Sequence, residues 1–357
     1  MKFLTLAFFF FVFSFAYSQS ATSLVEEGIR FHDQGQYDRA IEKYLAAISV
    51  NPLSSNAYYE AAYSYHAKGD FENALKMVDK AIELGSGQTK IMAMVVKGSI
   101  IDDMGDNKKA MRFYEEAIKE YPNEYLLLFN YGITLGRLER YGESEQAFIN
   151  ALKNKLNHPG SHYQLGNLKR DLNEKAPASM AYYFFLMLEN KTRRSKDARE
   201  KLFTIFYGNA PDPNSKEVTI NLNAAVLGSP DREPSPLGAA ELFVSLLGIA
   251  PPDKNTPPKT KQERFVADTE AYFSVLSEVP KSTTTPSETK KKKKGKQSDP
   301  TFFVETYIPF FSDLDKAGHT EAFCYHVMAG SEDPEIAKWI SSNDDKMDRL
   351  YAWLKSR

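Results

Sequence analysis

Between Ile91 and Glu124 the chain reads IMAMVVKGSIIDDMGDNKKAMRFYEEAIKEYPNE, and this stretch decides the fold. Gly98 is followed by Gly105, Ala110, Tyr114, Ala117 and Pro122. The same residues at the same intervals, Gly28, Gly35, Ala40, Tyr44, Ala47 and Pro52, stand roughly seventy residues upstream, which is two periods of about 34 plus a slip of about two. A fixed period in this range is the signature of a solenoid, in which each supersecondary unit buries its apolar face against the next. Aligned on the period, five copies run over 21–54, 55–88, 91–124, 125–158 and 159–192.

Each copy spells a helix, a tight turn and a second helix. The turns are Gly35-Gln36-Tyr37, Gly69-Asp70-Phe71 and Gly105-Asp106-Asn107, where glycine takes the left-handed conformation that ends the first helix. Pro52 and Pro122 stop the second helix because they have no N–H to donate. The copies resemble tetratricopeptide repeats, which carry a small residue at position eight, a large one at eleven, and Ala, aromatic, Ala and Pro at twenty, twenty-four, twenty-seven and thirty-two. Position eight holds Gly28, Ala62, Gly98, Gly132 and Gly166, and position twenty holds Ala40, Ala74, Ala110, Ser144 and Ala178. Position twenty-four, Tyr44, Val78, Tyr114, Phe148 and Tyr182, is expected to reach into the next layer. Position eleven holds Phe31, Tyr65, Ile101, Leu135 and then Lys169, where the pattern fails.

The resemblance implies an all-α fold, a right-handed superhelix (α-solenoid) of about five helix-turn-helix repeats over 21–192. The slip before Ile91 is expected to lengthen the turn around Gly85-Ser86-Gly87-Gln88. Copy five drifts, with Asn173-Glu174-Lys175 at its turn and Pro177 early in its second helix, as a terminal repeat does. A capping helix at 193–208 would follow, with Lys196, Arg199, Glu200 and Lys201 toward water and Ala198, Leu202, Phe203 and Ile205 on the stack.

In this family the first helices line a concave groove. The matching positions are Val25, Ile29 and His32 in copy one, then Tyr59, Tyr63 and His66 in copy two. Copy three gives Val95, Ser99, Asp102 and Asp103, copy four Phe129, Ile133 and Arg137, and copy five Tyr163, Asn167 and Arg170. Chaperone-binding relatives hold a C-terminal carboxylate with Lys, Asn and Arg, but the corresponding places here are Val25, Ile29, Glu60, Met92 and Val96. No cation is available there, so that activity does not transfer. An apolar lining with Tyr and Arg suits an extended segment or amphipathic helix of a protein partner, or the chain's own C-terminal half.

Outside the repeats, residues 1–18 read as a secretory signal: Lys2, an apolar run from Phe3 to Phe15, then Ala16-Tyr17-Ser18 before mature Gln19. This predicts an exported protein, periplasmic or extracellular, and no later apolar run is long enough to cross a membrane. Cys324 is the single cysteine of the 357 residues, which rules out an internal disulfide. A net charge of -2 argues against nucleic acid as a partner. From Asn209 the composition shifts to a mostly helical C-terminal region, 209–357. Val218, Ile220 and Leu222 alternate as at most one short strand, and helices are expected at 235–247, 260–279, 300–314, 320–329, 333–341 and 343–354. A disordered loop, 281–299, carries Lys290 to Lys294 and Lys296, which would give weak contact with an anionic surface.

No catalytic motif, metal set or cofactor loop is present. His158 and His162 are separated by Pro159 and Gly160, Asp102-Asp103 reads as solvated acid, and Cys324 and His326 point to different sides of a helix. The sequence therefore describes a non-enzymatic, exported scaffold or adaptor that binds a protein partner, within a bacterial cell-envelope assembly. The alternative is an envelope enzyme whose catalytic part is the C-terminal half.

Overall fold

The structure, a computed structural model, describes residues 20–208, 235–249, 260–279 and 300–357. Every regular element among them is helical. Five helix pairs come first: α1 (Ala21–Asp33) and α2 (Tyr37–Val50), α3 (Ser55–Lys68) and α4 (Phe71–Leu84), α5 (Gly87–Asp103) and α6 (Asn107–Glu120), α7 (Tyr125–Arg137) and α8 (Tyr141–Asn154), α9 (Pro159–Asp171) and α10 (Lys175–Leu188). The chain forms two compact units that divide within α6, one ending at Lys109 and the other starting at Ala110. The signal segment 1–18, the strand at Val218 to Leu222 and the lysine loop 281–299 lie outside the described residues.

Two local rules hold the pairs together. The first is the turn, left-handed at Gly35 (φ 72°), Gly69 (φ 83°) and Gly105 (φ 88°). Copies four and five have no glycine there, yet Glu139 (φ 58°) and Asn173 (φ 56°) keep the same backbone. Asn tolerates it readily, whereas a residue such as Glu139 carries about 1 kcal/mol of strain. The second is the pairing of positions eight and twenty-four. A Cβ on Gly28 would come within 2.4 Å of the Tyr44 ring, one on Gly132 within 2.7 Å of Phe148, and one on Gly166 within 2.8 Å of Tyr182. The position-twenty-four ring thus packs on the glycine of its own repeat, and Tyr44 also reaches the next layer, where it shares a core with Ala57 and Ala61.

The slip before Ile91 resolves differently from the sequence reading. Only Gly85 and Ser86 separate α4 from α5, so the turn is short and the surplus residues extend α5 at its N-terminus. Apolar content explains this, since Ile91, Ala93, Met94, Val95 and Val96 are all buried and draw the preceding turn into helix.

In the second unit α11 (Arg193–Tyr207) follows, opened by a reciprocal capping box between Thr192 and Ser195. The remaining helices are α12 (Gly238–Leu246), α13 (Lys261–Ser277), a π-helical turn at Phe303–Tyr307 running into α14 (Ile308–Lys316), α15 (Thr320–Met328), α16 (Pro334–Ser342) and α17 (Asp344–Lys355). Arg199 of α11, expected toward water, is buried: its guanidinium donates to the carbonyls of Asn190 (2.7 Å) and Gly330 (2.8 Å). Those carbonyls sit at chain turns that helix hydrogen bonds do not reach, and the fork of the guanidinium spans both.

These helices assemble around α10, in which every residue from Ala176 to Leu186 is buried. Tyr183 bonds Thr269 of α13 (2.7 Å), and its ring meets Phe273, Phe311 and Phe323. Tyr272 donates to the Ala176 carbonyl at 2.9 Å. At the N-terminus of α10 Pro177 has no N–H, and the two free ones, Lys175 N and Ala176 N, both donate to the Glu241 carboxylate of α12 at 2.8 Å. Lys169, which broke the repeat pattern, is fully buried between Glu145 (2.5 Å) and Glu174 (3.0 Å), with the Phe303 ring at 5.4 Å. The drift of copy five is therefore the dock of the C-terminal helices.

Glu241→Ala should lower the stability of the chain by about 2–3 kcal/mol in urea unfolding, because it strands two buried N–H donors. Exposed Glu278→Ala should shift it by less than about 0.5 kcal/mol.

Candidate functional site

The first-helix face of the N-terminal unit is built on α1, α3 and α5. The His32 ring stacks on Tyr63 (4.8 Å, 23° between planes), and Tyr63 lies parallel to Tyr59 (6.3 Å, 4°). One turn of α3 separates the two tyrosines, which places them on one stripe. Tyr63 is 43% exposed, a large aromatic held at the surface by its neighbours. His32 Nδ1 is 2.7 Å from Ser64 Oγ, and burial lowers the imidazole's pKa, so the ring is neutral near pH 7. Ile29 is half-buried against the α1–α2 core. His66 Nε2 meets Asp103 Oδ2 of α5 at 3.0 Å, and Ser99 Oγ donates to the Val95 carbonyl one turn earlier.

Three expected lining residues are not available on this face, Val95 being buried with the apolar run of α5. Val25 is 5% exposed and belongs to the core of the first pair. Asp102 is equally buried, and its Oδ1 accepts from Asn107 Nδ2 at 2.6 Å, bracing the turn into α6. Both were assigned by position alone, but the apolar moment of α1 and the short turn after α5 rotate them inward.

Next to Tyr59 on α3 is Glu60, one of the positions where chaperone-binding relatives would carry a cation. Glu60 is half-buried on α3, and burial, reinforced by Asp33, raises its pKa to about 7. Beside it the Tyr44 hydroxyl is fully buried, with the Ser64 hydroxyl of α3 as its side-chain partner. Burial and then the Glu60 charge push that phenol's pKa up. Tyr59 is pushed to about 12 by burial and by Glu60.

The C-terminal unit treats its part of the lining differently. Phe129 packs on Phe148 (6.0 Å) and edge-on to His158 (4.9 Å), and Ile133 rests on the core while Arg137 is exposed. Tyr163 donates to Asp197 of α11 at 2.6 Å. Asn167 Oδ1 accepts from Tyr182 (2.9 Å) and from Lys201 Nζ (2.8 Å), and Arg170 folds onto Asp171 (2.6 Å). Tyr163 to Asp197 and Asn167 to Lys201 are each separated by 34 residues. Helix α11 is thus in repeat register, with Asp197 and Lys201 at lining positions five and nine. The same period, carried one step further, would have found them in the sequence.

Residues 25–89 and 93–124 match tetratricopeptide repeat models. The chain carries tetratricopeptide repeats in its N-terminal part. Tetratricopeptide repeat protein 36 of Xenopus tropicalis is 25% identical over 155 residues, 42% of this chain and 72% of that protein. Hsp70-Hsp90 organizing protein 3 of Arabidopsis thaliana is 35% identical over 97 residues, 27% of this chain, and the match spans only 17% of that relative's length. Among solved structures, pilF of Pseudomonas aeruginosa superposes with a TM-score of 0.42 at 16% identity, covering 53% of this chain and 93% of that one. All of these likenesses concern helical repeats.

Among the described residues, no three His, Cys, Asp or Glu side chains gather as a metal site. His162 is fully buried, with Nε2 on the Leu156 carbonyl (2.6 Å) and Nδ1 on the Tyr307 hydroxyl (2.6 Å). A carbonyl only accepts, so Nε2 carries the proton and Nδ1 accepts from Tyr307. Burial lowers His162 to about 3 and His158 to about 4. Cys324 is buried and its thiol pushed up, while His326 Nε2 is 3.0 Å from the Met187 carbonyl. No helix of the described residues is long and apolar enough to cross a membrane.

Glu60 gives a pH signature whose sign is set by its raised pKa. The unfolded carboxyl ionises near 4.5 and the folded one near 7, so stability from this group is full below pH 4.5 and falls as pH rises to about 7. The histidines act oppositely, losing stability as pH falls from 6.5. The melting temperature of Glu60→Gln minus that of the wild type should therefore grow from pH 4.5 to 7 and then level off, as scanning calorimetry would show.

Proposed function

We propose that this chain is a non-enzymatic, exported scaffold that holds a protein or peptide partner on the faces of its first helices, within a bacterial cell-envelope assembly. The observation that carries the reading is the row His32–Tyr63–Tyr59, stacked at lining positions of successive repeats with Tyr63 open to solvent. Rigid aromatic side chains lose little entropy on binding and dominate interface energetics. Relatives named as organizing proteins are consistent with an adaptor role. The missing cations at Val25, Ile29, Glu60, Met92 and Val96 separate the lining from carboxylate-holding grooves. Export rests on the signal-like residues 1–18, which precede the described repeats.

In the C-terminal unit the lining hydrogen bonds are already spent on α11, which favours the N-terminal unit as the main contact. Cys324, the specific residue of the enzyme alternative, lies in the core under Phe323 and Tyr325 and supports no such site. The double variant Tyr59→Ala, Tyr63→Ala should reduce crosslinked partner recovered from cell envelopes by at least about thirtyfold, at about 2 kcal/mol for the loss of the ring pair. Helicity should be unchanged. Undiminished recovery would reject the groove reading, and a mature N-terminus other than Gln19 on mass spectrometry would reject the cleavage site.

A further inference from the structure

In the N-terminal unit the charged side chains are largely matched. Lys43 pairs with Glu27 (3.2 Å), Lys68 with Asp38 (2.5 Å), Lys76 with Glu72 (2.7 Å) and Lys97 with Asp79 (2.7 Å). Glu60 is the exception that matters: half-buried, with no hydrogen bond or ion pair among the described residues, and within the field of Asp33, a second acid at the end of α1. Retaining an unpaired carboxylate there is costly, and Gln would occupy the same volume without the charge. On the same helix stand Tyr59 and the exposed Tyr63, whose ring is stacked between His32 and Tyr59 and leaves apolar ring area open to solvent. Below, the Tyr44 hydroxyl is buried and interacts with Ser64, whose oxygen also meets His32 Nδ1 at 2.7 Å. An unpaired carboxylate beside open apolar ring area favours one kind of visitor, a cation on an aliphatic stem.

We infer that the aromatic face of α1 and α3 recognises a lysine or arginine side chain of the partner segment, with Glu60 taking the positive charge and Tyr59 and Tyr63 flanking its stem. This rests on the reading that the first-helix face holds a partner, and adds the chemistry of what it selects. The tyrosine rings provide area and affinity, and Glu60 provides the choice of sign. Asp33 extends the negative field toward solvent and would steer a basic segment in. Bringing in a cation also relieves the burial of the Glu60 charge, so selectivity is built from an instability of the free protein.

The test uses the full mature chain and an array of acetylated, amidated random dodecapeptides as probe. Three proteins are compared: wild type, Glu60→Gln and Glu60→Lys, with the Tyr59→Ala, Tyr63→Ala variant as reference, and each is checked for unchanged helicity. Glu60→Gln removes the unpaired charge and should fold at least as well as wild type. Peptides bound by wild type should be enriched in Lys or Arg at one position. Glu60→Gln should bind those peptides at least about tenfold more weakly, and Glu60→Lys should shift the enrichment to Asp or Glu. Bound peptides without a basic residue, or full retention by Glu60→Gln, would overturn the inference while leaving the groove reading standing. No peptide bound by wild type, or equal binding by the double tyrosine variant, would overturn both.

Discussion

Helix α10 has no polar side to turn toward water. A solenoid helix normally covers one stripe with its own partner helix and one with the next repeat, leaving a third for solvent. In α10 the third stripe is Tyr183, Phe184 and neighbouring apolar residues, so the helix must be enclosed on its whole circumference. The C-terminal helices exist in their present arrangement to do this. They supply Thr269 for the Tyr183 hydroxyl, Tyr272 for the Ala176 carbonyl and Glu241 for the two N–H groups at the helix start. The same requirement explains the buried Lys169 ion cluster, since the Phe303 ring that covers α10's surroundings also seals it from water.

How legible this was in the sequence depends on how local each cause is. The ten repeat helices follow from short-range signals: small residue against ring within one pair, and a left-handed residue in each turn. Even where glycine was absent the geometry persisted, because packing on both sides overrides the preference of Glu139. That Tyr59, Tyr63 and His32 share one face was legible for the same reason. Val25 and Asp102 were not, since their burial depends on helix rotation and on a bond to Asn107 that a positional template does not contain. Lys169 looked like decay of the pattern because its two carboxylates and its ring come from three other segments. The role of α11 was hidden by treating it as an end, although its Asp197 and Lys201 keep the period.

The two units put similar positions to different uses. In the N-terminal unit the aromatic row bonds chiefly to itself and leaves Tyr63 open. In the C-terminal unit Tyr163 and Asn167 are tied to the charges of α11, which convert potential contact groups into supports for the next helix. Burial also acts on charge in both. It holds His162 neutral in the core, where neutrality suits a bond to Tyr307, and it holds Glu60 near its titration point on the lining, where an uncompensated acid is available to respond to whatever arrives.

The hydrogen bond from Tyr307 to His162 joins residues 145 apart, and Glu241 reaches back 65 to cap Ala176. The first two repeats close through neighbours a few tens of residues away. A chain made or translocated from its N-terminus can therefore finish those repeats early, while α10 emerges with its greasy circumference and waits for more than a hundred further residues before its cover exists. During that interval the segment is a natural client for holding factors. The lag between a completed front and an unfinished back is a timing property written into the topology, independent of what the finished molecule binds.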